Sequence, residues 1–138
     1  MTNQRKIKVL LAQFPIETHS RGIITVAGML RDAGMEVILL GNALPEHIIE
    51  AAVQEYVDVI GISSYCGGEL ALGSELMKAA KEKGIKDRTV FLLGGIFPPA
   101  DIPKLKEMGF DGTFLSATKE EIVSCIENAL AAKRTIAG

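Results

Sequence analysis

The chain has 138 residues, of which 48% are hydrophobic and 23% charged, and its formal net charge at pH 7 is −2. This length fits one domain with a buried core and excludes a barrel of eight strand–helix units, which needs roughly 250 residues. The balanced charge argues against a nucleic-acid surface, and no apolar run reaches the roughly 20 residues that a membrane span needs.

Short apolar runs alternate with amphipathic segments from the start of the chain. Residues 7–12 predict a buried strand, and residues 22–33 predict a helix that Gly34 ends. Residues 36–40 predict the second strand. Pro45 suits the first turn of the next helix, which leads to a third strand at residues 59–62.

The same alternation continues through the second half of the chain. A helix over residues 70–83 precedes a fourth strand at 89–93, and a short helix over 103–108 precedes a fifth strand at 112–115. Thr118 and Glu121 have the spacing of a capping box, which predicts a last helix from there to about residue 133. We expect residues 134–138 to form a frayed tail.

Five strands alternating with helices through short connections predict a single α/β domain over residues 1–138. The expected fold is flavodoxin-like: a doubly wound, five-stranded parallel sheet of order 2-1-3-4-5 with helices on both faces. In such sheets, ligands bind beyond the carboxyl ends of the strands, where the strand order reverses. The residues after strands one, three and four are therefore the candidates for a site.

Each of these three strand ends is followed by polar side chains or by glycines. Glu17, Thr18 and His19 lie in a long loop after strand one, Ser63 and Ser64 follow strand three, and a pair of glycines follows strand four. Neither the glycine-rich dinucleotide motif nor the phosphate-loop motif is present. The acidic pair and the aspartate of a phosphoacceptor receiver domain are also missing from the expected strand ends.

The three strand ends together resemble a known family. The patterns Glu17-x-His19-x-x-Gly22, Ser63-x-Tyr65 and Gly94-Gly95 are similar to the D-x-H-x-x-G, S-x-L and G-G signatures of the cobalamin-binding domain. The flanking sequence also resembles the B12 domain or small subunit of acyl-CoA mutases of the methylmalonyl-CoA mutase type, over residues 6–132. Glu17 stands where the family has Asp, and Tyr65 stands where it has Leu.

This resemblance implies adenosylcobalamin as the cofactor, with its dimethylbenzimidazole tail inserted into the domain and His19 as the lower axial ligand of cobalt. Glu17 would accept the other ring N–H of that imidazole, because metal-bound histidines are held by such partners. The cofactor contacts implied by the family are Glu17, Thr18, His19, Ser20, Arg21, Gly22, Ser63, Ser64, Tyr65, Gly94 and Gly95. The family also implies a larger partner subunit with a (β/α)8 barrel that binds the acyl-CoA, and no activity for this chain alone.

Two other functions stay open at this point. Corrinoid methyl carriers share the cobalamin motif, but they usually have a helical cap before the first strand, which begins here at about residue 7. A non-catalytic cobalamin-binding or regulatory domain is the second alternative, favoured by the departures at Glu17 and Tyr65.

Several residues also have plain structural interpretations. Ser63 and Ser64 could cap a helix, and we expect His47 to be a surface residue. Cys66 is expected to be an inert filler and Cys125 a core residue, since two distant cysteines form neither a disulfide framework nor a zinc site. No apolar run is long enough to span a membrane, and residues 1–6 lead into a short strand-like segment rather than a signal peptide, so we expect a cytoplasmic protein. We also expect its thiols to be reduced.

Overall fold

A parallel sheet of five strands forms the centre of the protein in the computed structural model, which describes residues 6–15, 17, 19–65 and 67–137. The strand order is β2-β1-β3-β4-β5, as predicted. The strands are β1 (Lys8–Gln13), β2 (Glu36–Asn42), β3 (Val59–Ser64), β4 (Val90–Gly95) and β5 (Gly112–Phe114). The order reverses between β1 and β3, which places the switch point where the sequence predicted it.

Five helices cover the two faces of the sheet. They are α1 (Arg21–Asp32), α2 (Pro45–Glu55), α3 (Glu69–Glu82), α4 (Ile102–Met108) and α5 (Lys119–Ala137). Buried side chains of α2, α3 and α4 pack on one face, and those of α1 and α5 pack on the other. No helix in the described ranges is long and apolar enough to cross a membrane.

The two faces receive alternate residues of each buried strand. Leu10 and Ala12 join the core beneath α2, α3 and α4, whereas Val9 and Leu11 join the core beneath α1 and α5. Both faces are covered, so residues 9–12 of β1 and residues 90–93 of β4 are continuous hydrophobic runs, and β3 is buried along its whole length. The same alternation decides which polar residues near the strand ends can face a ligand.

Hydrogen bonds and ion pairs of charged side chains stabilise the edge of the sheet at which the strands begin. Asp58 accepts the backbone N–H of Lys8 at 2.9 Å, and Asp111 accepts the N–H of Phe91 at the same distance. The ammonium of Lys133 lies 3.2 Å from the Asp111 carboxylate and donates to the carbonyl of Thr89 at 2.5 Å. These bonds satisfy backbone groups where strands begin, on the edge opposite the predicted site.

The predicted elements are all present, but several end elsewhere. Strands β3 and β4 each continue further than predicted, to Ser64 and Gly95, because these two residues pair in the parallel ladder. Helix α5 continues to Ala137, so the segment expected to fray is helical as far as that residue. The capping box is confirmed: the Thr118 hydroxyl and the Glu121 carboxylate accept each other's backbone N–H at 3.2 and 2.8 Å.

Candidate functional site

The loop after β1 is fixed by two amide side chains that stand side by side on neighbouring strands. Gln13 and Asn42 are register partners at the carboxyl ends of β1 and β2. The Gln13 amide donates to the carbonyl of His19 at 2.6 Å. The Asn42 amide donates to the carbonyls of Phe14 and Glu17, at 3.0 and 2.7 Å. These bonds satisfy loop carbonyls and hold the backbone on both sides of the histidine.

Within this loop, the carboxylate of Glu17 is buried and accepts three N–H groups. Its Oε2 lies 3.0 Å from Nδ1 of His19 and 3.1 Å from the backbone nitrogen of the same residue. Its Oε1 accepts the backbone N–H of Tyr65 at 2.6 Å. With Glu17 ionised, its oxygens only accept hydrogen bonds, and the tautomer that pairs with them carries the proton on Nδ1 and leaves the lone pair of a neutral imidazole on Nε2.

His19 presents that nitrogen at the surface. Its side chain is 61% exposed, whereas the Glu17 side chain behind it is 3% exposed. A histidine fixed through Nδ1 by a carboxylate, with Nε2 available, is the usual arrangement of a metal ligand and its supporting partner. No group of three or more metal-ligating side chains occurs among the described residues.

A groove of about 670 Å³ opens beside His19, between the sheet and the two helices α1 and α5. Leu11, Gly61, Ser63, Leu92 and Gly94 form its floor, and all belong to the strand positions that face α1 and α5. Its walls are mostly apolar and come from α1, β5 and the start of α5. The walls include Val26, Met29, Phe114 and Ala117.

Glycines in the floor of the groove leave space that side chains would otherwise fill. At Gly94 an added Cβ would have the carbonyl oxygen of Phe114 as its nearest neighbour, at 3.5 Å, so a side chain fits there only by filling the groove. Gly95 has a different role, because its φ is +135° and a Cβ would overlap the carbonyl oxygen of Ser64 on the adjacent strand. Gly94 therefore leaves space in the groove, and Gly95 allows the ends of β3 and β4 to pair closely.

The structure brings most of the sequence-predicted residues to this groove. Those that line it are His19, Ser20, Arg21, Gly22, Ser63, Tyr65, Gly94 and Gly95. Glu17 lies behind His19 and reaches the groove through it. Ser64 is buried in β3 and is not part of the lining, because consecutive strand residues point to opposite faces. Thr18 and Cys66 lie outside the described residues.

Three structural interpretations can now be judged. The helix-capping role for Ser63 and Ser64 is wrong: both are strand residues, and Gly68 occupies the position before α3. His47 is exposed on α2, as predicted. Cys125 is half-buried and packs against the core beneath α1 and α5, which agrees with the core prediction.

Sequence reasoning assigned no role to Gln13, Asn42 or Gly61. The first two are polar residues at the carboxyl ends of adjacent strands, and that placement was the signal that could have identified them. Gly61 lies within an otherwise apolar strand, where glycine often marks a close approach of a ligand or another backbone.

Comparison with known proteins places this geometry in a family. A family model described as "B12 binding domain" matches residues 7–123. The small subunit of 2-hydroxyisobutanoyl-CoA mutase from Aquincola tertiaricarbonis is 36% identical over 133 residues, which cover 95% of this chain and 97% of that one. Methylmalonyl-CoA mutase from Escherichia coli is 36% identical over 78% of this chain, but this chain spans only 15% of that longer protein.

One solved structure shows the same fold at low sequence identity. It is a cobalamin-binding protein from Desulfitobacterium hafniense, with a TM-score of 0.77 and 20% identity. The match covers 89% of this chain and 58% of that one.

Proposed function

Since the chain belongs to the B12-binding domain family, we propose that it is the cobalamin-binding small subunit of an adenosylcobalamin-dependent acyl-CoA mutase, with His19 as the lower axial cobalt ligand. One observation carries this proposal. The buried Glu17 carboxylate holds Nδ1 of His19 at 3.0 Å, so that Nε2 is the nitrogen left to bind a metal on a side chain that lines the groove.

The residues present fit the cofactor on chemical grounds. Imidazole is a suitable ligand for cobalt, and the supporting carboxylate raises its basicity and fixes its tautomer. The walls of the groove are mostly apolar, and the glycines of its floor leave space above the sheet, so the groove suits a flat aromatic base. Ser63, buried in that floor, offers a hydroxyl that can donate to a ring nitrogen.

When bound, adenosylcobalamin supplies the radical chemistry through homolysis of its cobalt–carbon bond. The chain's own residues bind and orient. His19 would supply a nitrogen ligand to the cobalt, Glu17 would keep the proton on Nδ1, and the amides of Gln13 and Asn42 hold the loop in place. None of these residues handles a proton of the substrate in this proposal, and the proposal assigns binding of the acyl-CoA to the partner chain.

A larger partner subunit is part of the proposal. The Escherichia coli mutase contains the matched region as a small part of one long chain, whereas the Aquincola relative is named a small subunit and has nearly the length of this protein. The likeness to the small subunit favours a mutase subunit over a corrinoid methyl carrier or a non-catalytic domain. The cytoplasmic location stays a prediction, which cell fractionation tests.

Electron paramagnetic resonance of bound cob(II)alamin tests the axial ligand directly. In protein labelled uniformly with nitrogen-15, coordination by His19 splits the cobalt lines into doublets, because the axial nitrogen then comes from the protein. Coordination by the cofactor's own unlabelled base gives triplets instead. His19→Ala removes the doublets, and His47→Ala, a change at the exposed histidine on α2, leaves them intact.

Two results would contradict the proposal. Triplets in the labelled wild-type protein would show that the cofactor keeps its own base on cobalt, and His19 would not be the ligand. An absence of any cobalamin binding by the wild-type protein, in titrations followed by absorbance, would reject the family function for this chain.

A further inference from the structure

Tyr65 is held against the proposed cobalt ligand. Its ring stacks on the imidazole of His19, with ring centroids 5.4 Å apart and an interplanar angle of 28°. Aromatic pairs at this separation attract each other beyond the effect of buried area alone. The side chain of Tyr65 therefore covers one side of an imidazole that is otherwise mostly exposed.

The phenol hydroxyl of Tyr65 reaches from the side of His19 to α1. A Cβ added to Gly22, the second residue of that helix, would lie 2.6 Å from the hydroxyl oxygen of Tyr65. The phenol thus takes the space that the missing side chain of Gly22 leaves. All three residues line the groove, so the phenol occupies the part of it between His19 and α1.

The backbone at Tyr65 is fixed while its side chain is not. Its N–H donates to the buried Glu17 carboxylate at 2.6 Å, and the preceding residue, Ser64, belongs to the β3 ladder. In contrast, no hydrogen bond ties its hydroxyl to any of the described residues. Among the described residues its side chain is held by ring stacking, so it turns about χ1 at lower cost than the loop can move, since loop movement would break a charge-assisted hydrogen bond in a buried place.

We infer that Tyr65 is a gating residue: stacked on His19, it occupies the part of the groove between that residue and α1, and it turns outward, with its backbone in place, when a cofactor tail is inserted. This inference rests on the proposed function, since the tail is that of cobalamin. The stacked state lowers the fraction of protein ready to bind, and apparent association slows by that same fraction. A stacking contact of this kind corresponds to a factor of about two to ten.

Stopped-flow absorbance with adenosylcobalamin in excess tests the gate. Tyr65→Leu removes the stacking ring and should bind about two- to tenfold faster than wild type. Tyr65→Phe keeps the ring and should stay within about twofold of wild type, because the hydroxyl forms no hydrogen bond with the residues that the structure describes. Tyr56→Leu, a change at the exposed tyrosine that ends α2, is the matched control and should leave the rate unchanged.

A second measurement needs no variant. Nuclear magnetic resonance of the free wild-type protein should show Overhauser contacts between the ring protons of Tyr65 and His19, and cofactor binding should remove them. Missing contacts in the free protein would overturn the gate even if Tyr65→Leu failed to fold.

The failure of the gate differs from the failure of the proposed function. If Tyr65→Leu binds at the wild-type rate or more slowly, the gate is overturned while cobalamin binding stands, and Tyr65 is then a contact of the bound tail. If the wild type does not bind, the proposed function and the gate are both rejected, whether or not Tyr65→Leu binds.

Discussion

Replacing Glu17 by glutamine tests how the loop after β1 prepares its histidine. The carboxylate accepts two N–H groups of His19 through Oε2 and the N–H of Tyr65 through Oε1. Glutamine has the same shape but only one acceptor oxygen, and its NH₂ group would face an N–H donor. Either the imidazole or the Tyr65 backbone then loses its acceptor in a place that water barely reaches.

The size of the effect follows from these contacts. Leaving one buried donor without an acceptor costs about 1–3 kcal/mol, and we expect Glu17→Gln to lower the free energy of unfolding by that amount. Cofactor affinity should fall by about 10- to 100-fold, the usual loss when the partner of a metal-bound histidine is removed. Glu17→Asp keeps a carboxylate for the imidazole but is one methylene shorter, so it should lose mainly the bond to Tyr65 and bind more tightly than the glutamine variant.

Absorbance titration with adenosylcobalamin gives the affinities, and urea denaturation gives the stabilities. Glu50→Gln removes the same charge from an exposed position on α2 and serves as the matched control. Wild-type affinity in Glu17→Gln would refute the reasoning, because the histidine would then need no acceptor at Nδ1. Equal losses in Glu17→Gln and Glu50→Gln would show that net charge, not the local bond, is responsible.

Three further changes probe the groove, a helix start and a buried acid. Gly94→Val places methyl groups in the groove without backbone strain, and should weaken cobalamin binding by about 1–3 kcal/mol in titrations while the melting temperature stays near wild type. Thr118→Ala removes the cap of α5 and should cost about 1 kcal/mol in urea denaturation with cobalamin affinity unchanged. Burial, with the nearby Asp101 carboxyl, raises the pKa of Glu69, so the fold favours the protonated acid. The stability that protonated Glu69 contributes to the fold is present below the ordinary glutamate pKa and is lost as pH rises through the raised pKa. Across that pH range, the free energy of unfolding should decline less steeply with pH for Glu69→Gln than for wild type. An equal decline in the two proteins would exclude Glu69 as the cause.

The architecture was accessible from the sequence because its signals are local. Apolar runs ended by glycine or proline, such as the run stopped by Gly34 and the helix opened by Pro45, depend on nearby residues alone. The spacing of Glu17 and His19 is also local, and the bond between their side chains follows from it. These features needed no knowledge of how distant segments pair.

The remaining features depend on register and on distant contacts. Ser64 belongs to β3 because it pairs with Gly95, and that pairing is a property of two strands together. The roles of Gln13 and Asn42 arise only when β1 and β2 lie in register. Tyr65 meets Glu17 across 48 positions of chain, so no local pattern could predict that the two departures from the family motif contact each other.

The charged hydrogen bonds and ion pairs at the edge where the strands begin have a practical consequence for protein engineering. Asp58, Asp111 and Lys133 secure the strand starts, while the loops that carry His19 and Tyr65 emerge from the opposite edge. Parts that maintain the fold are thus separated in space from parts that meet a ligand. A library of variants confined to the carboxyl-edge loops could therefore explore new corrinoid preferences on a scaffold whose own supports are left untouched.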